Sequence, residues 1–131
     1  VSSIGDYTFA YCIELDTVIL PSTVERIGLY TFAGCEWLET INLEYIKEVS
    51  DYAFTSCVYL ENVNLTSVET IGEAAFDSCY NLENVVVDTE KVFAKGEGEC
   101  FASNSNNSLE KKRIRVYNTI DKLLFDKREV I

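Results

Sequence analysis

Four times between residues 4 and 87 the chain runs through one order of apolar and polar positions. The four passages are IGDYTFAYCIELDTVIL (4–20), IGLYTFAGCEWLETINL (27–43), VSDYAFTSCVYLENVNL (49–65) and IGEAAFDSCYNLENVVV (71–87). The lead residues Ile4, Ile27, Val49 and Ile71 advance by 23, 22 and 22. So do Phe9, Phe32, Phe54 and Phe76, the cysteines Cys12, Cys35, Cys57 and Cys79, and the leucines Leu15, Leu38, Leu60 and Leu82. A unit of this length cannot bury a core of its own. It has to stack on its neighbours, and the expected architecture is a solenoid.

Each unit closes on Leu-x-x-Ile/Val-x-Leu/Val: LDTVIL (15–20), LETINL (38–43), LENVNL (60–65) and LENVVV (82–87). The last positions alternate apolar and polar, which is the period of a strand. Stacked units then lay these strands side by side in a parallel sheet, about 4.8 Å apart. A second extended piece follows in TVERIG (23–28), YIKEVS (45–50) and SVETIG (67–72), with Val68 and Ile71 among its inward residues. GEAAFDSC and its equivalents supply a turn or short helix on the opposite, convex side. Phe is expected to stack on Phe and Cys on Cys, and losing one Phe from such a column costs about 3–5 kcal/mol. Tyr7, Tyr30 and Tyr52 make a further column, read as convex packing, that ends at Ala74.

Beyond residue 91 the pattern degrades. A fifth unit spans about 92–117, with Glu97 in the Phe position, a polar insert ASNSNNS (102–108) and a strand resuming at RIRVY (113–117). Terminal repeats are atypical because one side must face water. Residues 118–131 predict a helix, with Asn118 or Thr119 as cap and Ile120, Leu123 and Leu124 on one face. It reads as a lid on the open end of the solenoid, or as a linker into a further domain. The whole is expected to be one domain, 1–131, built of four regular repeats (about 4–91), the degenerate fifth and the capping helix. The chain starts just before Ile4, inside a repeat, which suggests a piece of something longer.

The motif I-G-x-x-A/T-F-x-x-C-x-x-L-x-x-I/V-x-L, four times over, resembles leucine-rich repeats, and more closely their BspA-like subtype. The expected fold is therefore an α/β solenoid with short parallel strands on the concave face. The commoner leucine-rich repeat carries Asn or Cys shortly after its strand motif. Here Ile46 and Val68 stand there, and the Cys lies three residues before the Leu. The resemblance implies a surface-displayed or secreted microbial protein, often from a mucosal habitat. It also implies adhesion or partner binding without catalysis, and repeats fused to other segments.

Composition narrows the chemistry. With 47% hydrophobic and 25% charged residues a folded chain is expected. No apolar run approaches the ~18 residues of a membrane span, no signal peptide is visible, and membrane insertion is not expected. The net charge of −11 is uneven: residues 1–90 hold 16 acids and two bases, Arg26 and Lys47, whereas residues 91–131 hold nine bases and six acids. An acidic body repels phosphates, so nucleic acid is not an expected partner. With no His in the chain, the most frequent general base and metal ligand is missing. There is neither a phosphate-cradling glycine loop nor a Gly-x-Ser-x-Gly elbow, and no acidic loop offers the six to eight oxygens of a calcium site. No enzyme, cofactor or metal is expected. The five cysteines have no zinc spacing, and one per repeat is read as small buried core residues, with neighbours within disulfide range as the alternative.

Stacking turns repeated positions into rows. Thr17, Thr40, Asn62 and Asn84 form one concave row, and Ile19, Asn42, Asn64 and Val86 a second. Both suit hydrogen bonding to a protein or glycan, although any solvent-facing strand face has this character. Glu39, Glu61 and Glu83, with Asp16 beside them, form a row of like charges that repel. It reads as a hydrated edge, or as a complement to a basic partner. Trp37 and Tyr59 precede their strand leucines and suit interface anchors or a cover for the core rim. The expected function is a monomeric binding module contacting a protein or glycan, a host extracellular one included, through Trp37, Thr40, Asn42, Tyr59, Asn62, Asn64 and Asn84. The alternatives are a stiff spacer within a larger surface protein and an acidic scaffold for a basic protein.

Overall fold

A computed structural model describes residues 2–88 and the strand 115–118. The strands in chain order are β1 (Ser2–Ile4), β2 (Thr17–Val18), β3 (Val24–Ile27), β4 (Thr40–Ile41), β5 (Glu48–Val49), β6 (Asn62–Leu65), β7 (Thr70–Ile71), β8 (Asn84–Val87) and β9 (Arg115–Asn118). They pair in parallel, each with the equivalent strand of the next unit. β1, β3, β5 and β7 form one continuous sheet from the second extended piece of each unit. The strands of the closing motif form the concave side as β2–β4 and β6–β8–β9. β9 continues the concave register, with Asn84 opposite Arg115 and Val87 opposite Asn118. The expected capping helix lies outside the described residues, as does most of the fifth unit.

Alternation along the closing motif places the core. In β6, Val63 and Leu65 are buried while Asn62 and Asn64 are exposed. From the second sheet, Val24, Ile27, Ile46, Val49, Val68 and Ile71 point to the same interior. Phe32, Phe54 and Phe76 are fully buried, and the four rings stack at centroid separations of 5.5, 5.3 and 5.1 Å from Phe9 to Phe76. The first unit has no unit before it among the described residues, and Phe9 remains 38% exposed.

The convex arc is made of turns, and no helix occurs among the described residues. Two residues of each unit explain this. The residue two before each Phe, namely Tyr7, Tyr30, Tyr52 and Ala74, has φ of 53–59°. The residue two after it is also left-handed: Tyr11 (62°), Gly34 (73°), Ser56 (61°) and Ser78 (61°). A left-handed residue cannot continue a right-handed helix, and for an L side chain it costs about 1–2 kcal/mol. In return the arc points its N–H groups along the solenoid. Tyr30, Phe32 and Gly34 donate to the carbonyls of Asp51, Ala53 and Thr55 in the next unit, at 3.3, 2.8 and 2.8 Å. The units on either side repeat the arrangement. The tyrosines stack in turn, Tyr7 on Tyr30 and Tyr30 on Tyr52, each at 4.9 Å.

One correlation between units explains two glycines. Asp6 Oδ1 accepts the Leu29 N–H and Asp51 Oδ1 the Glu73 N–H, both at 2.8 Å. Each carboxylate crosses over the glycine of the following unit. A Cβ on Gly28 would lie 2.5 Å from Asp6 Oδ1 and 2.9 Å from Ile4 O. Gly72 is as tightly covered by Asp51. The unit between them has Leu29 in place of Asp, and there the following residue is Ser50 rather than glycine.

Candidate functional site

Stacked units are expected to join their closing strands in one ladder, but here the ladder is interrupted between β4 and β6. At the first interface Glu39 and Thr40 both donate their N–H groups to Asp16 O, at 2.9 and 3.1 Å. At the third, Glu83 and Asn84 both donate to Glu61 O, at 2.8 and 3.1 Å. The equivalent bonds from Glu61 and Asn62 to Glu39 O are absent. Only Tyr59 N–H to Glu36 O, at 3.1 Å, ties these two units at that edge. The opening is a groove of about 260 Å³ lined by Glu39, Thr40, Tyr59, Glu61 and Asn62. On the other sheet the segments that lead into these two units, 23–28 and 45–50, are bridged twice, by Arg26 Nε to Glu48 at 2.8 Å and Lys47 Nζ to Glu25 at 3.4 Å.

The candidate residues divide into those the fold uses and those it leaves exposed. Asn42 belongs to the fold. Its amide donates to Leu20 O at 2.8 Å and accepts from Leu20 N–H at 2.6 Å. β2 ends at Val18 and Pro21 follows, so Leu20 has no strand partner, and the Asn42 side chain takes the place of one. Asn64 Oδ1 accepts from the N–H and hydroxyl of Thr66, shaping the turn out of β6. Asn62 Oδ1 accepts from Asn84 Nδ2 at 2.7 Å across β6 and β8, a cross-strand pair on the open face. Val86, from the second concave row, is buried. Trp37 and Tyr59 are about half exposed, at 48% and 49%. Tyr80 is equally exposed one position earlier in its unit, and repeat alignment missed it because it falls in a different column. Thr40, Tyr59 and Asn62 meet at the groove; Trp37, Asn42, Asn64 and Asn84 do not line it.

The BspA type leucine rich repeat region matches residues 2–130, in six copies. The chain belongs to the BspA-type leucine-rich repeat family. Among solved structures it is similar to the leucine-rich repeat protein of T. pallidum (TpLRR), with 28% identity and a TM-score of 0.63 over 90% of this chain. It is also similar to a leucine-rich repeat protein from Bacteroides ovatus ATCC 8483, with 29% identity and a TM-score of 0.49 over 65% of this chain. The chain spans 45% of the first protein and 28% of the second. No curated protein matches it.

The repeat cysteines illustrate how the BspA-type unit uses a thiol. Cys12, Cys35, Cys57 and Cys79 are free. Each buried thiol donates to the Phe carbonyl of the preceding unit: Cys35 to Phe9 O at 3.1 Å, Cys57 to Phe32 O at 3.2 Å and Cys79 to Phe54 O at 3.1 Å. A column read as simple apolar packing thus also satisfies a second acceptor position on each carbonyl. Burial pushes the Cys35 thiol up to about 11. The neighbouring Cys79 thiol and burial together hold Cys57 well above the usual thiol range. These thiols are poor nucleophiles at neutral pH. Among the described residues no group of three or more His, Cys, Asp or Glu could hold a metal, and no helix is long and apolar enough to cross a membrane.

Proposed function

We propose that this BspA-type repeat region is a non-catalytic binding module of a microbial cell-surface or secreted protein, with the concave groove and its aromatic edge as the contact surface. One observation carries the reading. The only interruption of the concave ladder among the described residues coincides with a half-exposed aromatic, Tyr59, on the groove wall, and Trp37 holds the equivalent position in the preceding unit. Half-exposed Tyr and Trp are residue types that anchor interfaces. Thr40 and Asn62 on the groove walls supply hydrogen bonds for fit, to a protein or a glycan. Asn42, Asn64 and Asn84 contribute by holding the face in shape.

The test is a screen of the chain against extracellular-matrix proteins and mucosal glycans at near-physiological salt. A variant combining Trp37→Ala, Tyr59→Ala and Asn62→Ala, with its fold verified by circular dichroism, runs beside it. A partner bound by the parent and lost by the variant establishes the module and its site. A partner held equally by both places recognition elsewhere. An empty screen favours the spacer, a role that the unbroken convex hydrogen-bond ladder would also serve.

A further inference from the structure

Within that reading, we infer that the groove between β4 and β6 is a socket for a lysine or arginine side chain of a basic protein segment. Its size is the first reason. At about 260 Å³ it falls below the ~300–1,000 Å³ typical of small-molecule pockets and suits a single inserted side chain. Its lining is the second. Glu39 and Glu61 occupy equivalent positions on the two unpaired strand ends, with Tyr59 on the same wall and Thr40 and Asn62 beside them. An exposed aromatic face beside carboxylates accepts the alkyl stem and the charged head of a long basic side chain together.

Charge complementarity is the third. Arg26 and Lys47, the bases of residues 2–88, both lie by the other sheet, already paired with Glu48 and Glu25. Among the described residues the nearest basic position in the concave register is Arg115, opposite Asn84 and two strands from Asn62. The groove thus carries two like charges with no paired cation among its lining residues, and a cation entering from outside supplies the opposite charge. The same field disfavours sialylated or sulfated glycans.

The chain carries its own reporter, because Trp37 is its single tryptophan and occupies the position equivalent to Tyr59 in the adjoining unit. The experiment titrates the full chain with fluorescein-labelled hexa-arginine and hexa-lysine peptides, following anisotropy and Trp37 emission. A neutral Gly-Ser hexamer and a neutral oligosaccharide serve as comparison probes. Glu39→Gln with Glu61→Gln is the test variant. Glu69→Gln with Glu73→Gln, on the other sheet side, makes the same charge change. The expected result is basic-peptide binding weakened about tenfold by the groove pair and less than about twofold by the control pair. Equal weakening by both pairs, or no basic-peptide binding, overturns the inference. Binding of the neutral sugar that is lost in Tyr59→Ala but indifferent to Glu39→Gln/Glu61→Gln also overturns it, while leaving the binding module standing.

Discussion

Replacing Phe54 by Ala removes the middle of the ring stack. Phe54 is fully buried and lies 5.3 Å from Phe32 and 5.1 Å from Phe76. A buried Phe→Ala change costs about 3–5 kcal/mol, and each aromatic contact adds about 0.5–1.5 kcal/mol beyond area. Two flanking rings place Phe54→Ala at the top of the range, about 5 kcal/mol. Phe9 is the comparison, since it is 38% exposed and has one ring neighbour, at 5.5 Å. Phe9→Ala should cost about 2 kcal/mol by the same scaling of burial. Urea unfolding in reducing buffer, followed by far-UV circular dichroism, measures both. Domain stabilities of about 5–15 kcal/mol leave little margin, so Phe54→Leu is the third variant. It keeps most of the volume, loses both stacks and should cost about 1–3 kcal/mol. Equal costs for Phe9→Ala and Phe54→Ala would refute the stacked column as the source of cohesion between units.

Three further outcomes are expected. Asn42→Ala strands both backbone groups of Leu20 and should cost about 1–3 kcal/mol, whereas Asn62→Ala should stay within about 0.5 kcal/mol in the same urea assay. The stability that the Cys35 thiol contributes should be lost as pH rises from about 9 to 11. The Cys35 thiol ionises at its ordinary 9.0 in the unfolded chain but at about 11 when folded, so the unfolded state binds fewer protons in that window. At pH 10 this thiol alone removes about 1.4 kcal/mol, and the loss between pH 8 and 10 should shrink by about that amount in Cys35→Ala. Gly28→Ser should cost about 1–3 kcal/mol, and Asp6→Leu should recover only the share due to the carboxylate, because Asp6 N and Ile4 O also lie 2.9 Å from the added Cβ. An additive double mutant in thermal melts would show that the carboxylate crossing is not the constraint.

The fold was largely legible because identical side chains recur at one spacing, and columns of Phe, Cys, Leu and Ile can bury themselves only by stacking. The convex arc was legible only as turn or short helix. Its two left-handed residues per unit include tyrosines, which carry no sequence signal for positive φ. The candidate site was legible as rows of equivalent residues, of which Thr40, Tyr59 and Asn62 line one groove and Trp37 does not. Asn42 and Asn64 share their row and its chemistry but are engaged by Leu20 and Thr66.

What the sequence by itself determined is everything periodic: the solenoid, the inward columns, the parallel strands and the acidic surface. Periodicity acts alike on every unit, so it makes each interface look the same. What only the tertiary structure decided is where the interfaces differ. The ladder opens at β4 and β6, Leu20 takes a side-chain partner, and the Asp6 and Asp51 side chains, with nearby backbone, crowd the glycine of the next unit. These outcomes rest on backbone groups of one unit meeting side chains some 22 residues away, and such pairings are settled only once the units are stacked.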